Sequence, residues 1–366
     1  MAMSSPGSRR RRLVLPLAIG VIVVLAAAVV VGLVTNNKST STTTTVATST
    51  AATTGPSCDV TSVAEQQLPA VVTIMAASGN GGGVGSGEVI RSNGYIVTNN
   101  HVIAPALGGG SLEVIFDNGD SARATLVGRD PLTDLAVIRV DKSSLQTIAI
   151  GNSSGLKIGQ PVVALGAPLG LSSTVTSGIV SALGRTVHVP GEGSGSALLV
   201  DAVQTDASIN PGNSGGALVN CSGALVGIPT AGASTGETGG SIGLGFAIPV
   251  NSALTIAEEI ISKGSVTHSF IGIQAQPLAA SATGQGGQAA GLWVVAVVPG
   301  SPAASAGLQE GDILRSIDGD PATSTDQLMA LSLTKRPGEQ VEVGYERNGH
   351  QATAKITLAS RPSASG

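Results

Sequence analysis

The sequence predicts a mostly-β chain of two globular domains preceded by one transmembrane helix. Three observations carry this. At 366 residues the chain is long enough for two domains with extra segments. After Leu68 it breaks into short apolar, β-branched runs such as Ala70–Met75, Gly94–Thr98 and Leu135–Val140, punctuated by Gly, Asn and Asp, the pattern of a β-barrel or sandwich. Leu13 to Val34 holds 22 residues without a charge, enough to cross a hydrocarbon core of about 30 Å.

The N-terminal segments follow in order. Residues 1–12 form a basic tail ending in Arg9 to Arg12, and 13–34 the apolar span. Positive charge stays cytoplasmic, so the span reads as a single-pass signal anchor in the plasma (inner) membrane, N-terminus inside. Everything after it is then extracytoplasmic, on the periplasmic or cell-wall side. A cleaved signal peptide is the alternative, but its apolar core is normally about 7–15 residues. Residues 35–57 are almost entirely Thr, Ser and Ala, too polar to build a core, and read as a flexible tether.

Composition excludes several function classes. Nineteen basic against 23 acidic residues give a net charge of −4, so no nucleic-acid surface is implied. Cys58 and Cys221 are too few for a disulfide scaffold and too far apart in sequence for a zinc site. Gly79 to Gly87 lacks the lysine of a phosphate-binding loop and reads as a mobile loop entering a strand. Gly284 to Ala289 matches a dinucleotide pattern, but no strand leads into it. No metal or cofactor is expected.

The first domain, 58–264, carries the chemistry. In Gly212-Asn213-Ser214-Gly215-Gly216 the serine has glycines close on both sides. Its Oγ is uncrowded, and the backbone is free to aim N–H groups into one small space, as acyl transfer requires. The bland alternative is a Gly/Asn turn. A base and an orienting acid are needed as well. His101 ends a β-branched run in Thr98-Asn-Asn-His101-Val, and Asp134 precedes an apolar run in Asp130-Pro-Leu-Thr-Asp134-Leu-Ala-Val. The order His, Asp, Ser is that of chymotrypsin. The α/β-hydrolase order would have to use Asp312 and His350, neither in a convincing setting.

These three segments resemble those of the HtrA (DegP/DegS-like) serine proteases, and the resemblance runs from about Leu68 to the C-terminus. It implies a chymotrypsin-like double β-barrel, with His101 and Asp134 from the first barrel and Ser214 from the second. It implies His101 as general base, Asp134 as its orienting acid and Ser214 as nucleophile. Gly212 and Ser214, with Asn213 as a third donor, would form the oxyanion hole. Ile209, Gly232 and Ala233 would line a pocket for small or medium apolar side chains. Pro229 departs from the family's Gly-Ile-Asn-Thr pattern, and Glu88 stands where an apolar residue often follows Gly-Ser-Gly. Asp206 reads as an acid the family shares rather than as a pocket charge. In an oxidising compartment Cys58 and Cys221 are either bridged or two buried thiols.

Apolar residues between Asn251 and Lys263 recur at helical spacing, and the helix ends at Gly264. The second domain, 267–360, resembles an HtrA-type PDZ domain through Phe270-Ile271-Gly272-Ile273, Pro299-Gly-Ser-Pro-Ala and Gly311-Asp-Ile-Leu. The first of these would receive a peptide carboxylate, and Leu328 to Leu333 would form the helix beside the groove. Residues 361–366 read as a disordered tail.

The expected activity is a membrane-anchored serine endopeptidase acting on misfolded or C-terminally tagged envelope proteins. The rival is a non-proteolytic PDZ chaperone with a dormant protease domain. The family's usual homotrimer is a further expectation, although the aromatic contacts that often support it are not evident here.

Overall fold

The computed structural model describes residues 58–79, 81–167, 174–190, 195–234, 241–278 and 291–361. The basic tail, the apolar span, the tether, the 284–289 loop and residues 362–366 lie outside these. Among the described residues no helix is long and apolar enough to cross a membrane.

Asp59 opens the folded region by capping helix α1 (Val60–Gln67), its Oδ1 accepting the N–H groups of Thr61 and Ser62. Pro69 then turns the chain into β1 (Val71–Ser78). Next come β2 (Gly81–Arg91), β3 (Tyr95–Asn99), the short helix α2 (Asn100–Ile103), β4 (Ser111–Ile115), β5 (Ser121–Asp130) and β6 (Leu135–Val140). They close into a barrel in the order β1-β2-β3-β6-β5-β4. The glycine run expected to be a loop is instead strand from Gly81 onward. It pairs with β1 along its whole length, Ser78 opposite Gly81 to Val71 opposite Glu88.

The second barrel uses β7 (Pro161–Gly166), β8 (Thr174–Pro190), β9 (Ser196–Thr205), β10 (Ala217–Asn220), β11 (Leu225–Ser234) and β12 (Ser241–Pro249). Its order is β10-β11-β12-β9-β8-β7.

Side-chain alternation decides how the barrels meet. Along β1, Val72, Ile74 and Ala76 fill the first barrel, while Val71 turns outward into a cluster with Val163, Leu165, Ala217 and Val219 of the second. Val97, Leu135 and Val137 likewise pack on Leu199, Ile228 and Ile248. The cleft at this junction receives the ends of β3 and β6 and the segment before β10. Helix α3 (Val250–Lys263) buries Val250, Ala253, Ala257 and Ile260 at three- and four-residue spacing. It ends at Gly264 with φ 78°, one residue longer at its start than the sequence suggests.

The C-terminal domain starts with β13 (Ser269–Phe270) and β14 (Ile273–Pro277), then β15 (Leu292–Val297), helix α4 (Pro302–Ser305), β16 (Ile313–Ile317) and β17 (Asp320–Pro321). Helix α5 (Asp326–Thr334), β18 (Gln340–Arg347), β19 (His350–Thr357) and β20 (Ala359–Ser360) complete it. Its main sheet runs β14-β15-β16-β18-β19, with β14 at an edge. Helix α5 starts and ends beyond the expected Leu328–Leu333.

Three links tie distant segments together. Cys58 and Cys221 are joined in a disulfide with Cα atoms 4.9 Å apart, fastening the first residue of the folded region to the end of β10. His268 Nε2 lies 2.9 Å from both carboxylate oxygens of Asp130, a pair almost wholly buried between the two domains. His188, on β8, pairs with Asp326 at the start of α5, again at 2.9 Å.

Candidate active site

Strand β3 ends at Asn99, and the chain folds over at once into α2, which carries His101. The turn is held from one side by Asp134. Its carbonyl accepts the N–H of Asn100 at 3.1 Å and the side-chain amide of Asn99 at 2.9 Å. Its carboxylate accepts the His101 N–H at 3.0 Å through Oδ1, and Oδ2 stands 2.8 Å from His101 Nδ1. Asp134 is fully buried and sits at φ 58°, a left-handed conformation that a non-glycine residue keeps only when its surroundings over-determine it. With Nδ1–H donating to Asp134, Nε2 is left as the basic nitrogen, and the ring is about a third exposed.

Thr230, on β11, completes the constellation. Its hydroxyl donates to Asp134 Oδ2, and its carbonyl accepts the Ser214 hydroxyl at 3.3 Å. Ser214 therefore reaches Asp134 through one residue, and His101 touches Asp134 directly. Thr230 touches both Asp134 and Ser214, and His101 joins this set through Asp134, while the Ser214 hydroxyl donates to the Thr230 carbonyl rather than to the imidazole.

The loop bearing Ser214 needs its glycines. Gly212 has φ 101° and Gly215 φ 78°. A Cβ on Gly215 would lie 2.3 Å from the Ser86 carbonyl oxygen, and one on Gly216 the same distance from that of Leu165. One expected donor is corrected here. The Asn213 N–H is taken by the Asn210 carbonyl at 3.0 Å, and the side chain of Asn213 is buried against the Ser208 carbonyl. Asn213 builds the turn rather than the oxyanion hole. Among the described residues the N–H groups of Gly212 and Ser214 have no backbone partner.

Of the expected pocket residues, Ile209 is buried in the core of the second barrel. Its Cγ1 fills the place a Cβ on Gly245 would take, 2.5 Å away. Gly232 pairs with that same Gly245 across β11 and β12, so Ile209 and Gly232 flank one spot. Ala233 lies on β11. Pro229 sits beside a register shift between β11 and β12. The carboxylate of Asp206 accepts the Ile179 N–H at 2.7 Å, which ties it to β8.

Glu88 faces the junction of the barrels. Its carboxyl is fully buried, neither oxygen has a partner, and burial pushes its pKa well above 4.5.

In the second domain Gly272 has φ 85°, and a Cβ there would strike Ser301 at 2.1 Å. The carbonyls of Ile271 and Gly272 accept the N–H groups of Ala303 and Val298, both at 2.9 Å. In a trans peptide N–H and C=O point oppositely, so the N–H groups of Gly272 and Ile273 face away from these partners. Phe270 closes the preceding strand, and Ile271 is buried in the domain core.

Two residues escaped sequence reasoning. Thr230 stood inside the Gly227–Thr230 stretch without a distinguishing neighbour. Ser86 stood in a glycine run, yet its side chain contacts the Ser214 loop.

Residues 85–228 match the trypsin-like peptidase domain and 269–358 the PDZ domain. The chain is 42% identical over 316 residues to the serine protease PepD of Mycobacterium tuberculosis, covering 83% of this chain and 66% of that one. It is 41% identical to the periplasmic pH-dependent serine endoprotease DegQ of Escherichia coli, covering 77% and 61%. Against the serine protease Do-like HtrA of Lactococcus lactis identity is 38%, covering 76% and 71%. The chain thus spans about two thirds of the length of these relatives. Among solved structures, the HtrA-type protease AlgW with a tripeptide superposes with a TM-score of 0.67 at 36% identity, covering 84% of this chain and 99% of that one. On this sequence and structural likeness, the chain belongs to the family of HtrA-type serine proteases.

Proposed function

We propose that the protein is a serine endopeptidase that recognises polypeptides through its PDZ domain. The carrying observation is the buried Asp134 carboxylate, which holds His101 by ring and backbone while Thr230 links it to the Ser214 hydroxyl. His101 Nε2 takes the Ser214 proton as Oγ adds to the scissile carbonyl. It then delivers that proton to the leaving amine, and a water repeats the cycle on the acyl-enzyme. Asp134 stabilises the transient imidazolium. The N–H groups of Gly212 and Ser214 bind the oxyanion, each worth about 2.7–4 kcal/mol in such sites.

The apolar and small residues Ile209, Gly232 and Ala233 favour a small or medium apolar side chain of the substrate. Strand β14 lies at a sheet edge, so a peptide C-terminus adds to it as a further strand, its carboxylate on the N–H groups of Gly272 and Ile273. AlgW structures with a tripeptide and a decapeptide support peptide binding by this architecture.

The natural substrates in this reading are misfolded or tagged envelope proteins. The span 13–34 anchors the enzyme in the plasma membrane with both domains outside, which the uncharged run behind four arginines supports. Casein hydrolysis by the full chain tests the catalytic assignment. Ser214→Ala abolishes it with the melting temperature unchanged, and hydrolysis retained in that variant refutes it.

A further inference from the structure

The geometry points to Ser86 as the positioning residue of the oxyanion hole. Two donor peptides matter, Pro211–Gly212 and Asn213–Ser214, and the peptides alternating with them are clamped. In the Gly212–Asn213 peptide the carbonyl accepts the Ser86 hydroxyl at 2.6 Å, and the N–H donates to Asn210. In the Ser214–Gly215 peptide the carbonyl accepts the Ser86 N–H at 2.9 Å, and the N–H donates to the Pro229 carbonyl at 2.8 Å. The Asn213–Ser214 donor peptide thus lies between two planes fixed at both ends, and Ser86 holds one end of each. A peptide plane bonded at both ends cannot rotate without breaking two hydrogen bonds, so the Ser214 N–H is held between two fixed planes and the Gly212 N–H against one.

Ser86 is itself fixed. It is fully buried, its Oγ accepts the Ala167 N–H at 2.8 Å, and its carbonyl accepts the Thr98 hydroxyl at 2.6 Å. Ala167 in turn accepts the Thr73 hydroxyl. The clamp therefore belongs to the first barrel and reaches across the cleft to orient donors carried by the second. Ser86 touches no reacting atom, and its effect is confined to the charge that develops on the substrate carbonyl.

This inference rests on Ser214 being the nucleophile, and the test separates the two. In the full-length protein, Ser86→Ala lowers kcat on a peptide substrate roughly 10- to 100-fold, less than or near the loss of one direct donor, with KM within about twofold. Ser86→Cys keeps the shape with a weaker donor and falls between. A peptide boronic acid, whose tetrahedral adduct places an oxygen in the hole, binds Ser86→Ala weaker by the same factor as kcat. Uncleaved peptide binds Ser86→Ala/Ser214→Ala as it binds Ser214→Ala alone. Both Ser86 variants turning over within about twofold of wild type overturn the inference. So does equal weakening of boronate and uncleaved peptide, which marks general damage to the cleft. Turnover surviving in Ser214→Ala would instead refute the underlying assignment.

Discussion

The Thr230 hydroxyl donates to Oδ2 of Asp134, the carboxylate oxygen that also faces Nδ1 of His101. The acid is thereby fixed from the second barrel, while the histidine it orients belongs to the first. Thr230→Val keeps the shape and removes the donor. Hydrogen bonds to charged groups are worth about 1.5–3 kcal/mol, so kcat/KM falls roughly 10- to 100-fold. Thr230→Ser stays within about threefold of wild type because the hydroxyl is kept. Steady-state cleavage of a chromogenic peptide measures both.

His101, Asp134 and Ser214 were legible because each stands in a local motif whose residue types have a chemical reason to be together. Thr230 and Ser86 were not, because their roles come from strand register. Only when β11 and β2 lie against the Ser214 loop does an ordinary threonine face a carboxylate and an ordinary serine face a carbonyl. The glycine run around Ser86 misled for a related reason. Glycine reads as loop in isolation, yet Gly85 and Gly87 stand where Cβ atoms would strike Val102 and Ile96, so close packing demanded them within a strand.

Glu88 gives a pH prediction. Burial without a partner raises its pKa, so the folded protein keeps the proton to higher pH than the unfolded chain does. Stability is then complete below the unfolded carboxyl pKa and declines as pH rises toward the folded value. Glu88→Gln removes this titration. Its melting temperature matches wild type near about pH 4 and exceeds it increasingly toward alkaline pH, by about 2–4 °C for each kcal/mol relieved. Thermal melts across the pH range check this, and an advantage for Gln that shrinks with rising pH contradicts it.

The Cys58–Cys221 bridge closes a loop with a sequence separation of 163. Under denaturing conditions the protein shows no free thiol until reductant is added, and then two per chain. Cys58→Ser/Cys221→Ser loses about 2–5 kcal/mol, seen as an earlier denaturant midpoint.

Gly272 allows a test of the PDZ loop apart from catalysis. Gly272→Ala is strained both by φ 85° and by the Ser301 side chain. Binding of a fluorescent peptide with a free C-terminal carboxylate is expected to drop by at least about tenfold. Labelling of Ser214 by a fluorophosphonate is unchanged in the same preparation.

The central claim is that His101, Asp134 and Ser214 act as one unit. Fluorophosphonate labelling followed by peptide mass spectrometry tests it most directly. We expect one adduct per chain, on Ser214, with labelling at least about 1,000-fold slower in His101→Ala and absent in Ser214→Ala. An adduct elsewhere, or labelling of His101→Ala at the wild-type rate, contradicts it.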